Sequence, residues 1–287
     1  MLNSEQIDFY NLNGYLSVDN VYNDSQIKSL SDVTNEFVEK SRLVTEENEM
    51  FALESDHSAN NPRLTRIKSP HKFHIIFEQA MKDDKMLDIL QDLIGKDIRI
   101  QTTKLNMKMP GGGRQVEWHT DWGHYPHTND DLLAVGIPLD DITEENGCLM
   151  VMPGSHKWTA TSHHEDGFFV GAVDIDSINI QKTKYIISKT GGISIHHVRT
   201  LHGSAPNMSN KPRRLLLFEF RAADAFPLNG LGMSWDEWNK LIVRGEPTIQ
   251  PRLEKVPVFF PQPLKYEHGS IFGVQSNLKK SHFSKSK

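Results

Sequence analysis

The chain has 287 residues, of which 37% are hydrophobic and 24% charged, and its formal charge is −5. These values are typical of a globular protein and provide no general basic field for nucleic acid, so we expect no nucleic-acid partner. No apolar run approaches the length of a membrane span, and Cys148 is the only cysteine, which excludes an intrachain disulfide. Without a secretory signal pattern at the N-terminus, we expect a cytoplasmic protein with no membrane partner, and the oligomeric state stays open.

Helical patterns dominate the first third of the chain. Apolar residues recur there at three- and four-residue intervals, which favours amphipathic helices packed on one face. The predicted elements are a helix over 5–12 capped by Ser4, a strand over 15–18, a helix that begins at the cap Asp24, a loop over 45–62 and a helix over 73–94 that ends at Gly95.

Short strand patterns separated by glycine and proline turns follow from residue 97. The predicted strands cover 98–107, 115–121, 132–139, 147–152, 178–187, 192–197 and 214–221. Many short strands of this kind favour a β-sandwich or barrel. We predict one domain over 1–287, with a mostly helical layer over 1–96, a β core over 97–222 and a C-terminal extension over 223–287.

A set of polar residues in this β region indicates a metal site. His119 and Asp121 are two positions apart, and on an extended strand such residues point to the same face. His202 follows 83 positions later, and Arg213 lies eleven residues beyond it. Two histidines and one carboxylate are the ligand set of non-haem Fe(II) oxygenases, and a guanidinium suits the far carboxylate of a 2-oxo acid.

The order of these motifs resembles the phytanoyl-CoA dioxygenase family of Fe(II)/2-oxoglutarate oxygenases. The resemblance extends over most of the chain but not beyond Ala222. It includes the segments at 4–10, 13–16, 109–113, 118–121, 125–130, 145–149, 153–157, 202–204 and 212–213.

The resemblance implies a double-stranded β-helix, that is, a cupin-like jelly roll with flanking helices. It also implies a dioxygenase that uses Fe(II), 2-oxoglutarate and O2, hydroxylates a small-molecule substrate and releases succinate and CO2. By this analogy His119, Asp121 and His202 are the catalytic iron ligands, while Arg213, Ser204 and Asn106 bind 2-oxoglutarate. Whether His196 or His197 contributes to the pocket stays open.

The substrate is predicted only as a small polar molecule, zwitterions included. Thr102 and Lys104 share strand parity with Asn106, and other candidates lie nearby in the sequence. The candidate substrate residues are Thr102, Lys104, Gln115, Trp118, Tyr125 and Arg221. The alternatives are a hydroxylase of an acyl-CoA or secondary metabolite, a non-catalytic metal-binding cupin-like sensor, and a metalloenzyme on the same barrel that needs no keto acid.

Overall fold

The computed structural model describes residues 1–159, 161–259, 262–265 and 270–283, so parts of the predicted C-terminal extension lie outside the described residues. Helices and short strands alternate in the N-terminal third. These elements are α1 (Ser4–Asn13), β1 (Tyr15–Val18), α2 (Asp24–Ser41), β2 (Phe51–Leu53), β3 (Leu64–Lys68), α3 (Ile75–Met81) and α4 (Asp84–Ile94). No helix within the described ranges is both long and apolar enough to cross a bilayer.

The helix starts differ by one residue from the prediction. Asn3 rather than Ser4 caps α1, and Asn23 rather than Asp24 caps α2. Each asparagine side chain accepts a hydrogen bond from the backbone of the glutamine three positions on, whose side chain accepts one from the asparagine backbone. This reciprocal capping box satisfies two backbone N–H groups that the first turn leaves free.

Two predicted segments of this region are wrong in detail. The helix predicted over 73–94 is two helices, because the Asp83 side chain accepts a hydrogen bond from the Met86 amide and thereby starts α4 anew. The loop predicted over 45–62 contains β2, which pairs with the unpredicted strand β3.

Strands form most of the rest of the chain. They are β4 (Ile98–Lys108), β5 (Val116–His119), β6 (Leu132–Pro138), β7 (Leu149–Val151), β8 (His164–Glu165), β9 (Phe168–Phe169), β10 (Lys184–Ile186), β11 (Ile193–His197), β12 (His202–Ser204) and β13 (Arg213–Ala222). The strand predicted over 178–187 is present only at its end, after a 3-10 turn. The C-terminal elements are α5 (Trp235–Asn239), β14 (Ile242–Arg244) and α6 (Ile271–Gln275).

Two antiparallel sheets make up the core, which confirms the predicted jelly roll. The larger has the order β1-β11-β6-β13-β4-β3-β2, with β14 paired to β4, and the smaller has the order β10-β7-β12-β5. Strands adjacent in space are mostly distant in sequence, so each sheet joins segments that local patterns cannot relate.

The larger sheet has two chemically different faces, as β13 shows. Leu216, Phe218 and Phe220 are fully buried in the apolar core that includes residues of α2, α3 and α4. Burial of each such side chain stabilises the fold by about 1.5–3 kcal/mol. On the opposite face of β13, towards the smaller sheet, stand Arg213, Leu215, Leu217 and Glu219.

Candidate metal centre

Three buried side chains meet on the inner side of the smaller sheet. His119 ends β5 and is the direct cross-strand partner of His202, which begins β12. Asp121 lies in a 3-10 turn after β5, so the predicted strand over 115–121 ends two residues early, yet the side chains still converge. The Asp121 Oδ1 atom lies 3.7 Å from His119 Nε2 and 3.9 Å from His202 Nε2.

Backbone carbonyls orient both imidazoles. The His119 Nδ1 atom lies 2.7 Å from the carbonyl oxygen of Glu117, and His202 Nδ1 lies 2.9 Å from that of Thr200. In each ring Nδ1 therefore carries the proton, and Nε2 keeps a lone pair. Burial, reinforced by the neighbouring His119 and His196, holds the pKa of His202 well below its usual range, which favours the neutral ring that a metal requires.

The donor set fits a ferrous ion. One ligand atom from each of His119, Asp121 and His202 lies within 4.8 Å of the others, and all three side chains are buried. Within the described ranges this is the one such group of histidine, cysteine or acidic residues. Two imidazole nitrogens and one carboxylate oxygen match the facial triad that leaves coordination positions open for other ligands.

The neighbouring histidines of β11 face opposite sides of the sheet. His196 Nε2 lies 3.2 Å from the second carboxylate oxygen of Asp121, and its ring is 4.3 Å from that of His202. His197 instead packs beside Tyr10 and His156, away from the metal ligands. His196 thus contributes to the pocket wall and holds the Asp121 carboxylate in place, whereas His197 does not reach the site.

Two buried cations lie beside the three ligands. Lys108 and Arg213 are cross-strand partners on β4 and β13. The Lys108 ammonium donates to Ser204 Oγ at 2.7 Å and to the Ala205 carbonyl, while one Arg213 nitrogen donates to the Gly147 carbonyl at 3.3 Å.

Neither cation forms an ion pair among the described residues. Arg213 Nε and Nη1 are buried without a hydrogen-bond partner in the described structure. Burial lowers the pKa of Arg213 to about 10, and burial together with Arg213 lowers the pKa of Lys108 well below its usual range. Because a buried, unpaired charge is costly, this arrangement favours an anionic ligand.

A cavity of about 70 Å³ between the two sheets connects the cations with the three ligands. The lining residues are Thr65, Arg66, Lys104, Asn106, Met107, Lys108, Val116, His119, Asp121, Ala134, Leu149, Ser194, His196, His202, Gly203, Ser204, Arg213, Leu215, Leu217, Glu219, Ile271 and Phe272.

The short helix α6 forms part of the cavity wall through Ile271 and Phe272. Its Gln275 side chain accepts a hydrogen bond from the Glu117 amide at 3.0 Å and donates to the Gly171 carbonyl at 2.9 Å. The C-terminal segment is thereby tied to the strand that carries His119.

The predicted cosubstrate residues all line this cavity. Arg213 and Ser204 belong to its cationic end, and Asn106 lies on the same face of β4 as Lys108. The side-chain oxygen of Asn106 accepts a hydrogen bond from Arg66 Nε at 3.0 Å, so it also orients a second cation.

Of the six predicted substrate residues, Lys104 faces the cavity and the other five are not among its lining residues. Trp118 packs in a separate apolar cluster behind β5, and Gln115 lies 3.5 Å from Ser281. The Arg221 guanidinium stacks 4.0 Å from the Trp238 ring, beyond the end of the cavity. Those three expectations are therefore corrected.

Thr102 and Tyr125 are also corrected as cavity residues. Thr102 is the cross-strand partner of Glu219, next to a register shift in β13, and its side chain stays outside the lining. Tyr125 packs against the cluster that contains Trp122. Burial raises the pKa of Tyr125 well above its usual range, and the nearby carboxylates of Asp121 and Glu219 raise it further.

The sequence analysis missed several cavity residues. Arg66 comes from the unpredicted strand β3, and Phe272 comes from the unpredicted helix α6. Glu219 and Ser194 lie on predicted strands, and their strand parity with Arg213 and His196 was the available signal.

The comparisons with known proteins agree with this geometry. The model of the family described as Phytanoyl-CoA dioxygenase (PhyH) matches residues 10–215. A probable alpha-ketoglutarate-dependent hypophosphite dioxygenase of Stutzerimonas stutzeri is 34% identical over 288 residues, covering 98% of this chain and 99% of the relative. An ectoine dioxygenase of Bordetella bronchiseptica is 23% identical over 231 residues, covering 74% and 73%.

Solved structures show the same fold. The crystal structure of EctD from S. alaskensis with bound Fe has a TM-score of 0.67 and 21% identity, covering 89% of this chain and 88% of that one. Both the extent of the family match and the close relative confirm the predicted family. The chain belongs to the phytanoyl-CoA dioxygenase family and is an Fe(II)- and 2-oxoglutarate-dependent dioxygenase.

Proposed function

We propose that His119, Asp121 and His202 bind the ferrous ion and that the enzyme hydroxylates a small polar anion. The observation that carries this proposal is the juxtaposition, in one buried cavity, of a facial donor set with two cations that have no acidic partner in the described structure. A dianionic 2-oxo acid provides both the metal-chelating group and the carboxylate that such cations attract.

The cationic end of the cavity is the proposed 2-oxoglutarate site. Arg213 offers two unpartnered guanidinium nitrogens, which suit the two oxygens of a carboxylate. Lys108 adds a second positive charge, and the Ser204 hydroxyl accepts its hydrogen bond and stays free to donate its own proton. Asn106 lies between this end and Arg66 and is assigned to the same site.

Bound iron supplies the activation of O2 at the expense of 2-oxoglutarate, which leaves as succinate and CO2 while one oxygen atom enters the substrate. The chain provides orientation and a protected environment for that chemistry. Leu215 and Leu217 form an apolar wall between the two charged ends, and His196 holds the Asp121 oxygen that faces away from the other ligands.

Charge and size support a small anion as the substrate. Arg66 and Lys104 line the cavity away from Arg213, and a cavity of about 70 Å³ admits only a few heavy atoms. The relative that is 34% identical along nearly its whole length is named for hypophosphite, a small phosphorus oxyanion. We therefore propose phosphorus oxyanions and related small anions as the substrate class.

Two measurements test this function in sequence. Anaerobic addition of Fe(II) and 2-oxoglutarate is expected to give the visible charge-transfer band of a bidentate complex. Oxygen is then admitted with hypophosphite, aminophosphonates, betaines, amino acids or acyl-CoA thioesters, and succinate release is measured against an assay without substrate. For hypophosphite, phosphorus NMR detects the phosphite product directly.

Each alternative function predicts a different result. A metal-binding sensor without a cosubstrate site gives no charge-transfer band. Succinate release stimulated only by acyl-CoA thioesters contradicts the small-anion proposal, and turnover without any keto acid contradicts the role of Arg213.

A further inference from the structure

Glu219 places a carboxylate inside a cavity that is otherwise lined by cations and neutral groups, apart from the proposed iron ligand Asp121. It lies on the same face of β13 as Arg213, six residues further along the strand. Six residues of β-strand span about 20 Å, so Glu219 marks the end of the cavity opposite the proposed cosubstrate site. The side chain is only 4% exposed.

Only half of this carboxylate is satisfied. One oxygen accepts a hydrogen bond from Lys104 Nζ at 2.6 Å. The other, Oε2, is buried and makes no hydrogen bond within the described structure. A buried acceptor of full negative charge is rarely left unpaired in proteins, and its position on the cavity wall favours a partner that enters with the ligand.

The neighbouring donors do not fill this role. Arg66 Nε donates to Asn106, and the Lys104 ammonium is already shared with the first oxygen of Glu219. The Tyr125 hydroxyl interacts with both Asp121 and Glu219, and its single proton serves at most one of them at a time. This end of the cavity therefore combines two positive groups with one open acceptor.

We propose that Glu219 is a specificity-determining residue that accepts a hydrogen bond from the substrate. The ligand is then a small anion that also carries an N–H or O–H donor, with its anionic oxygen towards Lys104 and Arg66. This inference rests on the proposed function and narrows its substrate class. Two sources share this chemistry, the hydroxyl of a monoprotonated oxyanion and the ammonium group of a zwitterion.

Hypophosphite separates the two requirements, because its hydrogen atoms are bound to phosphorus and it has no O–H or N–H donor at neutral pH. The experiment measures dissociation constants by calorimetry with the anaerobic Fe(II)/2-oxoglutarate complex of the full chain. The probes are hypophosphite, monoprotonated phosphite and aminomethylphosphonate. The last two distinguish a hydroxyl donor from an ammonium donor.

The variant E219Q removes the charge and retains the side-chain shape. The matched control is E54Q, because Glu54 is also buried with one oxygen paired to a cation, Arg114 at 3.1 Å, and the other unpartnered, but lies outside the cavity. E219D, which restores the carboxylate, tests whether a loss reflects the missing charge. Circular dichroism checks the folding of all three.

We expect at least one donor-bearing probe to bind wild type more tightly than hypophosphite does. E219Q is expected to weaken that probe by about 10- to 100-fold, the range for a hydrogen bond to a charged group, without weakening hypophosphite. E219D is expected to recover part of the affinity, and E54Q to behave as wild type.

Two results overturn the assignment of Glu219. One is a wild-type preference for hypophosphite over both donor-bearing probes, and the other is an equal effect of E219Q on all three. The charge-transfer band keeps this test separate, since its absence in wild type contradicts the proposed function itself. If the band forms and E219Q binds every probe as wild type does, only the specificity assignment fails.

Discussion

The two ends of the cavity along β13 use buried charge in opposite ways. At the Arg213 end, two cations lie together with no acidic partner among the described residues. At the Glu219 end, an acid and the Lys104 cation neutralise each other and leave one acceptor open. A strand with alternating inward residues can thus separate a site for a dianion from a site for a ligand of mixed polarity.

The largest effect is expected from the ligands that lie between these ends. His119→Ala, Asp121→Ala or His202→Ala removes one of three donors, and turnover should fall by more than about 10³-fold, because even outer contacts of a metal site cost 10–100-fold. Iron content after anaerobic reconstitution and circular dichroism measure metal loss and folding separately.

His197→Ala is the matched control for this set, since His197 is a buried histidine on the far face of β11. It should retain iron and activity. An active His202→Ala protein together with an inactive but folded His197→Ala protein contradicts the ligand assignment.

Arg213→Ala tests the cationic end alone. Loss of two charge-assisted hydrogen bonds should raise the KM for 2-oxoglutarate by about 100-fold or more, with a smaller effect on iron binding. Steady-state kinetics with varied 2-oxoglutarate measure this change.

The adjacent Arg214 provides the control. It points to the other face of β13 and pairs with Asp140 at 2.6 Å, so Arg214→Ala should leave that KM nearly unchanged. Equal KM values for wild type and Arg213→Ala indicate a metalloenzyme that does not use this site for a keto acid.

Lys108 makes cosubstrate binding dependent on pH. Burial first, and then Arg213, hold the pKa of Lys108 well below 10.5, although Cys148 opposes the shift. Between the lowered pKa and about 10.5 an unfolded chain binds more protons, so the cosubstrate-free fold gains stability as pH rises through that window. A dianion instead favours the protonated lysine, so 2-oxoglutarate affinity should fall as pH rises through the lowered pKa.

Calorimetric titration of 2-oxoglutarate at several pH values measures this slope, which is limited to about tenfold per pH unit for one proton. Lys108→Met should bind 2-oxoglutarate more weakly and lose most of the slope. A slope that persists in this variant assigns the proton to another group, with Arg213 the nearest candidate.

The smallest effect is expected at Cys148, near the cationic end. Burial raises the pKa of this thiol to about 11, so it is a neutral packing group near pH 7. Cys148→Ala should retain activity within about twofold and lower the free energy of unfolding by about 1 kcal/mol, as measured by denaturant titration. Loss of turnover in a folded variant contradicts a purely packing role.

Local patterns predicted the parts of the site that local patterns determine. The spacing of His119 and Asp121, and the strand parity that puts Lys104, Asn106 and Lys108 on one face, were readable in the sequence. The register of β4 against β13 was not, because it pairs residues more than 100 positions apart. The Lys104–Glu219 contact depends on that register.

Long-range contacts also explain the residues that were assigned to the wrong environment. Arg221 has the parity of a cavity residue, but it lies beyond the cavity end, where the distant Trp238 covers it. Arg66 enters from β3, whose edge position follows from pairing with β4 and not from its own residues. Helix caps failed by one residue because Asn3 and Asn23 compete with equally suitable neighbours.

The continuity of β13 has a practical consequence for anyone who clones this protein by family boundaries. The matched segment stops at residue 215, two residues into a ten-residue strand. A gene trimmed there would keep Arg213 but discard Glu219, along with the Phe218 and Phe220 side chains that anchor the sheet to its helices. It would also discard Gln275, whose contacts brace the strand of His119. Expression of the complete chain is therefore a precondition for a meaningful assay.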